Sequence, residues 1–117
     1  MPRKPHDAKS GQDLLPGTLE MLILKTLSIE PMHGYGVAQH IKKVSADVLS
    51  VEEGSLYPAL QRLLLKDLVT AEWGVTGKNR RARFYRLTPA GRRQLGEEET
   101  GFLRYFEAIR KVLKAAR

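Results

Sequence analysis

The sequence contains no cysteine among its 117 residues. Disulfide bonds, thiolate nucleophiles and thiolate metal sites are therefore excluded within this chain. Its longest apolar runs, such as the one at residues 21–24, are far shorter than the roughly 20 residues that a membrane-spanning helix needs. Residues 1–15 also lack the continuous apolar region of a secretory signal. We therefore expect a cytoplasmic protein of one domain, with a single modest core.

Acidic residues are scarce relative to basic ones. There are 20 lysines and arginines against 13 aspartates and glutamates, which gives a formal net charge of +7. Such a surplus in a small domain is typical of proteins that bind a polyanion, nucleic acid first and a membrane surface second. Plain solubility accounts for the same charge, so the motifs have to decide between these classes.

Catalytic and metal-binding patterns are missing from the sequence. No nucleophile with a base, no pair of carboxylates and no phosphate-binding glycine loop stands in a placement that supports chemistry. His33 and His40 are two helical turns apart, and no third ligand has an obvious place beside them. We therefore expect neither an enzyme nor a metal site, and no cofactor.

Residues 52–67 predict an amphipathic helix, with one apolar stripe at the helical period. The stripe consists of Leu56, Ala59, Leu60, Leu63 and Leu64. The opposite side has no carboxylate and carries Ser55, Tyr57, Pro58, Gln61, Arg62 and Lys66. Pro58 is expected in the first turn, where proline is tolerated. Such a helix suits insertion into a DNA major groove, although an ordinary helix with a solvated face shows the same pattern. Leu65 alone is apolar on this outer side.

Residues 18–28 predict a first helix, with Thr18 as its N-cap. Apolar residues occur on more than one of its faces, which is typical of a helix buried on more than one side. In so small a chain, we expect a second subunit to supply part of that cover, through Leu19, Met21 and Leu24.

The stretch 32–36 has glycines on both sides of Tyr35 and leads into a second predicted helix, 35–46. These glycines leave the first backbone N–H groups of the helix unshielded, which suits a phosphate. A turn that needs glycine for its dihedral angles explains the same residues, and the two interpretations are compatible. Residues 48–51 then predict a short strand.

Residues 69–73 and 82–87 alternate in polarity and predict the two strands of a β-hairpin. The loop between them contains glycine, and residues 78–86 include no acid. We interpret this hairpin as a wing that follows the helix at 52–67. Its candidate DNA contacts are Lys78, Asn79, Arg80, Arg81 and Arg83. Arginines at a hairpin tip can bind phosphates or enter a narrow minor groove.

A last helix is predicted to start at Thr88 and Pro89 and to run to about residue 115. Gly96 and Gly101 weaken it, so we expect a bend or a short break near them. Its apolar seam steps by four and three residues through Phe102, Phe106, Ile109 and Leu113. This spacing favours a dimer seam, although packing within one subunit would give the same pattern.

The order of elements predicts an α+β fold, mostly α: a winged helix-turn-helix with a C-terminal dimerisation helix. We expect a disordered basic arm over 1–14, the winged helix-turn-helix over 15–91 and the dimerisation helix over 92–117. A two-fold pair would place two recognition helices about 34 Å apart, one turn of DNA, and would require a palindromic operator.

Four motifs in this order give the chain a specific resemblance. They are Leu15-Pro16-Gly17-Thr18-Leu19, Met32-His33-Gly34-Tyr35-Gly36, Glu53-Gly54-Ser55-Leu56-Tyr57-Pro58-Ala59-Leu60 and Arg83-Phe84-Tyr85-Arg86-Leu87-Thr88-Pro89-Ala90-Gly91. The sequence resembles the PadR family of bacterial transcriptional regulators, in the short subgroup with a single C-terminal helix. The family often has glycine where Asp67 stands, so the turn after the third helix is expected to differ slightly.

The resemblance implies a dimeric repressor of double-stranded DNA, whose helix 53–66 reads the major groove and whose wing 74–83 contacts the backbone or the minor groove. By position, the DNA-facing residues would include Tyr35, Ser55, Tyr57, Pro58, Arg62 and Lys66. Two alternatives remain. One is a sensor with a small-molecule effector at the dimer interface, in a cavity lined by Trp73, Phe102, Tyr105 and Phe106. The other is a winged-helix protein-interaction module without a DNA role.

Overall fold

The computed structural model describes Leu14 and residues 17–115. The predicted arm therefore lies outside the described residues, apart from Leu14. In chain order, the elements within the described part are α1 (Leu19–Leu27), β1 (Met32–His33), α2 (Gly34–Val44), α3 (Glu53–Leu65), β2 (Val69–Val75), β3 (Arg81–Leu87) and α4 (Pro89–Ala115).

Helix α1 lies at the centre of the core and packs against α2, α3, α4 and β3. Met21 is 8% exposed and Leu24 is 0% exposed within a single chain. Our expectation that a second subunit covers these two residues is therefore wrong, because the chain's own elements surround α1 on several sides. Leu19 is half-buried and packs at the edge of the core.

The first strand was predicted in the wrong place. At residues 48–51 only Leu49 forms an isolated bridge. The third strand of the sheet is instead β1, in which Met32 pairs with Tyr85 and His33 pairs with Phe84. The connection from α2 to α3 is irregular, and both Ala46 and Asp47 adopt a positive φ there.

The sheet is antiparallel with the order β1-β3-β2. Val69, Tyr85 and Leu87 are buried at the end of the hairpin nearest the core. The far end of the hairpin projects as the wing. Its turn is closed by Thr76, whose Oγ1 accepts hydrogen bonds from the N–H groups of Lys78 and Arg80, both at 3.2 Å.

A close junction joins the end of α3 to the start of α4. Asp67 adopts a φ of +59°, and the N–H of Leu68 donates to the carbonyl of Leu63 at 3.0 Å. Asp67 thus fills the left-handed position that often holds glycine. Thr88 Oγ1 donates to the carbonyl of Asp67 at 2.8 Å and accepts from the N–H of Gly91 at 2.9 Å. The turn that follows α3 is therefore tied directly to the start of α4.

Helix α4 is continuous over 27 residues, so the break expected near Gly96 and Gly101 is not present. Two glycines cost a helix only about 1 kcal/mol each, which the remaining residues of a long helix outweigh. The C-terminal half of α4 leaves the body of the chain. It exposes Leu103, Tyr105, Phe106, Ile109, Val112 and Leu113 by 39–71%.

Candidate nucleic-acid interface

Helix α3 presents one buried and one exposed side, as its sequence predicts. Leu56, Ala59, Leu60 and Leu63 are at most 1% exposed and fix the helix on the core. The six predicted contacts of this helix are all exposed: Ser55, Tyr57, Pro58, Gln61, Arg62 and Lys66.

Pro58 is not in the first turn of α3, because the helix begins at Glu53. It lies one turn further on, where a residue normally donates its N–H to the carbonyl four residues earlier. Proline has no N–H, so the carbonyl of Gly54 lacks that usual intrahelical donor. Gly54 and Pro58 are both exposed, so the carbonyl of Gly54 lies on the exposed side of α3, where water can supply the missing donor.

A concave depression lies between the start of α2, the exposed side of α3 and the wing. Its volume is about 450 Å³. It is lined by His33, Gly34, Tyr35, Tyr57, Gln61, Trp73, Ala82, Arg83 and Tyr85. Four predicted contacts from separate parts of the sequence, Tyr35, Tyr57, Gln61 and Arg83, are thus brought together. We call this surface the tyrosine depression.

The ring of Tyr57 is held against the start of α2. A Cβ atom added to Gly34 would lie 2.8 Å from Cε1 and 3.0 Å from the hydroxyl oxygen of Tyr57. Only glycine therefore allows this approach. Burial raises the pKa of Tyr57, and the nearby Glu53 and Tyr85 raise it further. A phenol is protonated at neutral pH even without this shift, so Tyr57 can donate a hydrogen bond.

The start of α2 is less open than its glycines suggest. His33 Nδ1 accepts a hydrogen bond from the N–H of Gly36 at 3.0 Å and so caps the helix. The expectation of unshielded N–H groups is wrong for Gly36, because an imidazole already occupies it. The hydroxyl of Tyr35 accepts from Gln39 Nε2 at 3.0 Å, and its side chain remains largely exposed.

The basic residues of the wing fall into two groups. Lys78, Asn79 and Arg80 form the turn, and Asn79 adopts a positive φ there. Arg81 and Arg83 lie two residues apart on β3 and therefore share one face of the hairpin. The guanidinium carbon of Arg81 lies 4.9 Å from the centre of the Trp73 ring, and that of Arg83 lies 5.8 Å from the centre of the Tyr85 ring. Aromatic rings thus hold both strand arginines beside the tyrosine depression.

Arg62 and Lys66 point to the opposite flank of α3, where both contact Glu20 of α1. Arg62 Nε lies 2.6 Å from Glu20 Oε2, and Lys66 Nζ lies 3.3 Å from Oε1. Burial raises the pKa of Glu20, but the hydrogen bonds from Arg62 and Lys66 outweigh it and hold the pKa below its ordinary value. Sequence reasoning missed Glu20, whose only signal is a carboxylate near the start of an otherwise largely apolar helix.

The aromatic residues proposed to line an effector cavity do not meet within one chain. Trp73 lines the tyrosine depression, whereas Phe102 and Phe106 stack on each other along α4, with ring centres 6.2 Å apart.

No group of three or more potential metal-ligating side chains occurs among the residues that the structure describes. Within that same part of the chain, no helix is both long and apolar enough to cross a membrane.

Three helices, a sheet that ends in a projecting hairpin and an exposed α3 beside it define a winged helix-turn-helix protein. A model of the transcriptional regulator PadR-like family matches residues 23–97, well over half of the chain. The chain belongs to this family of transcriptional regulators.

Solved structures of similar proteins have the same fold. A PadR family transcriptional regulator from Eggerthella lenta is 31% identical, with a TM-score of 0.71 over 85% of this chain and 84% of its own. A PadR-like transcriptional regulator from Bacillus cereus is 26% identical, with a TM-score of 0.73 over 85% and 94%. The PadR of Bacillus subtilis, solved in complex with operator DNA, is 24% identical and has a TM-score of 0.61 over 68% of this chain and 46% of its own.

Proposed function

We propose that this regulator is a dimeric repressor that binds a palindromic operator in double-stranded DNA, in the cytoplasm. Helix 53–66 would read the major groove, and the wing 74–83 would contact phosphates or the minor groove. The observation that carries the proposal is the tyrosine depression. It joins the start of α2, the exposed side of α3 and the arginine-bearing face of the wing in one concave surface.

The chemistry of this surface suits DNA. Tyr57 and Gln61 offer hydrogen bonds on α3, and a glutamine amide matches the edge of adenine in the major groove. Arg81 and Arg83 lie on one face of the wing, against the rings of Trp73 and Tyr85 respectively. Because their charges are exposed, they would supply affinity for phosphates that falls steeply with salt.

The dimer would form through α4. Phe106, Ile109 and Leu113 lie at helical spacing and are 50%, 39% and 71% exposed. Leu19 and Phe102, both half-buried, would border this seam. An exposed apolar stripe of this length on a monomer is typical of an interface. Two copies joined by this seam would present two α3 helices to successive turns of the major groove.

Selection of bound duplexes from a random DNA pool, with the stoichiometry of the complex, tests this proposal. We expect an inverted repeat bound by two chains. Trp73 is the protein's single tryptophan and lies in the depression, so its fluorescence should change on binding. Failure to enrich any sequence at physiological salt would refute sequence-specific binding and would favour a protein-interaction module.

Paired substitutions separate the roles of the two elements. Gln61→Ala should relax the preference for one base pair and cost about 1–3 kcal/mol on the selected duplex. Replacing both Arg80 and Arg81 by alanine should weaken binding to all duplexes alike and flatten its dependence on salt. Equal effects of both changes on selected and random DNA would argue against base reading by α3.

An effector-responsive sensor is the second candidate. Tyr105 is 67% exposed and Phe106 is 50% exposed on α4, so aromatic rings would enter the proposed seam and could line a small-molecule site between subunits. Thermal unfolding with a panel of compounds tests this function. A compound that raises the unfolding temperature and releases the selected duplex would support it, and a panel without any shift would count against it.

A further inference from the structure

We propose that Glu20 is a positioning residue for base recognition, which orients Arg62 of α3 so that its two terminal nitrogens can contact a guanine. This inference rests on the proposed function, since it concerns how the regulator discriminates between DNA sequences. Glu20 itself need not touch DNA.

The contact between Glu20 and Arg62 leaves the two terminal nitrogens of the arginine free to bind a base. Glu20 binds Nε of Arg62 at 2.6 Å. A guanidinium group has five N–H donors in a rigid planar fork. With Nε engaged, the terminal nitrogens still offer two parallel N–H groups, which match O6 and N7 of guanine. Because the carboxylate occupies one edge, it fixes the plane in which the other edge lies.

Glu20 is a firm anchor because its helix is part of the core. Ile23 and Leu24, which lie one turn after Glu20 on α1, are 0% exposed. The side chain of Glu20 is 23% exposed, whereas those of Arg62 and Lys66 are 53% and 57% exposed. The fixed partner is therefore the carboxylate, and the adjustable partners are the two basic side chains. An arginine held in advance loses less conformational freedom when it binds.

The same carboxylate also lowers affinity for unselected DNA. It occupies Arg62 and Lys66 together, one helical turn apart, and adds a negative charge beside a surface that would face phosphates. Contact with the correct guanine can offset this cost, whereas contact with phosphates alone cannot. Specificity is a difference between affinities, so Glu20 would increase the ratio of operator binding to non-specific binding.

The test compares Glu20→Gln, Arg62→Ala and the double variant with the wild-type protein. Each is titrated with the duplex selected from the random pool, with that duplex changed at every base pair in turn, and with a random duplex. Glu30→Gln is the matched control, since Glu30 is an exposed carboxylate just beyond the end of α1. Circular dichroism and the unfolding temperature establish that each variant is folded.

We expect Glu20→Gln and Arg62→Ala to relax the preference for guanine at the same base pair, by roughly 5- to 100-fold. The double variant should show no further loss at that position. On the random duplex, Glu20→Gln should bind as tightly as the wild type or a few-fold more tightly, because one negative charge is removed. The Glu30→Gln control should retain every base preference.

Glu20→Asp separates charge from position. It keeps the negative charge but shortens the side chain, so the contact with Arg62 Nε should be lost and the guanine preference should fall. The inference would be overturned if Glu20→Asp and Glu20→Gln both retained that preference and Glu20→Gln only bound all duplexes more tightly. Glu20 would then lower the affinity for every DNA sequence through its charge alone. A wild-type protein that enriches no duplex would instead overturn the proposed function, and the inference with it.

Discussion

Gly91 is the position where adding a single methyl group should lower the stability of the fold most. A Cβ atom there would lie 2.0 Å from the carbonyl oxygen of Leu68 and 2.8 Å from Cδ1 of Leu87. The nearest obstacle is backbone, so a side-chain rotation cannot relieve the clash. The first turn of α4 would have to move away from the end of α3, and the hydrogen bond from Thr88 Oγ1 to the carbonyl of Asp67, 2.8 Å long, would be strained or broken.

The expected loss for Gly91→Ala follows from these contacts. Overpacking costs about 1–3 kcal/mol, and each hydrogen bond lost at the junction adds about 1 kcal/mol, so we expect about 2–5 kcal/mol in total. That is a large part of the roughly 5–15 kcal/mol that stabilises a typical domain. Urea unfolding followed by circular dichroism should show a midpoint lowered by about 1–3 M.

Gly96→Ala provides the control in the same helix. A Cβ atom at Gly96 would meet nothing within 4 Å, so alanine should stabilise α4 by up to about 1 kcal/mol through its higher helix propensity. The same chemical change thus has opposite expected signs at two positions five residues apart. A Gly91→Ala protein with wild-type stability would refute the close approach of α4 to Leu68.

Three further changes test the site and its supports. Gly34→Ala should displace the ring of Tyr57 and weaken binding to the selected duplex by about tenfold, measured by fluorescence anisotropy, whereas Gly101→Ala, in open space on α4, should not. Asp67→Gly should raise the free energy of unfolding by about 0.5–1 kcal/mol, because glycine adopts the positive φ without strain. The lowered pKa of Glu20 means that its ion pairs stabilise the fold above the ordinary glutamate pKa, and that this contribution is lost as the pH falls through the lower folded value. Acid titration of stability should therefore be shallower in that range for Glu20→Gln than for the wild type, and identical curves would contradict the linkage.

The local patterns of the sequence predicted most of the fold. Helical periodicity identified α1 to α4, and alternation identified β2 and β3. The strand β1 was missed because its two residues are too few to show alternation. Met21 and Leu24 were assigned to a second subunit because a helical stripe shows that a face is covered but not by what. In the structure, α1 is enclosed by its own chain.

The candidate site was predicted less completely than the fold. Tyr35, Tyr57, Gln61 and Arg83 could each be selected from their local setting, but their meeting in one depression depends on the tertiary fold. Glu20 could not be selected, because it acts on a residue 42 positions away. No periodicity connects a carboxylate on one helix with an arginine on another, so such a contact needs the structure.

The junction between α3 and α4 has a mechanical consequence. At about 1.5 Å per residue, α4 is a rod of roughly 40 Å, anchored at Thr88 to the residue that follows the last turn of α3. A 5° change in the tilt of this rod would move its free end by about 3–4 Å, roughly a tenth of the 34 Å pitch that separates half-sites. In the proposed dimer, a small change in the angle at which the two α4 helices cross would therefore change the distance between the two α3 helices. That crossing angle would set the operator spacing that the protein accepts.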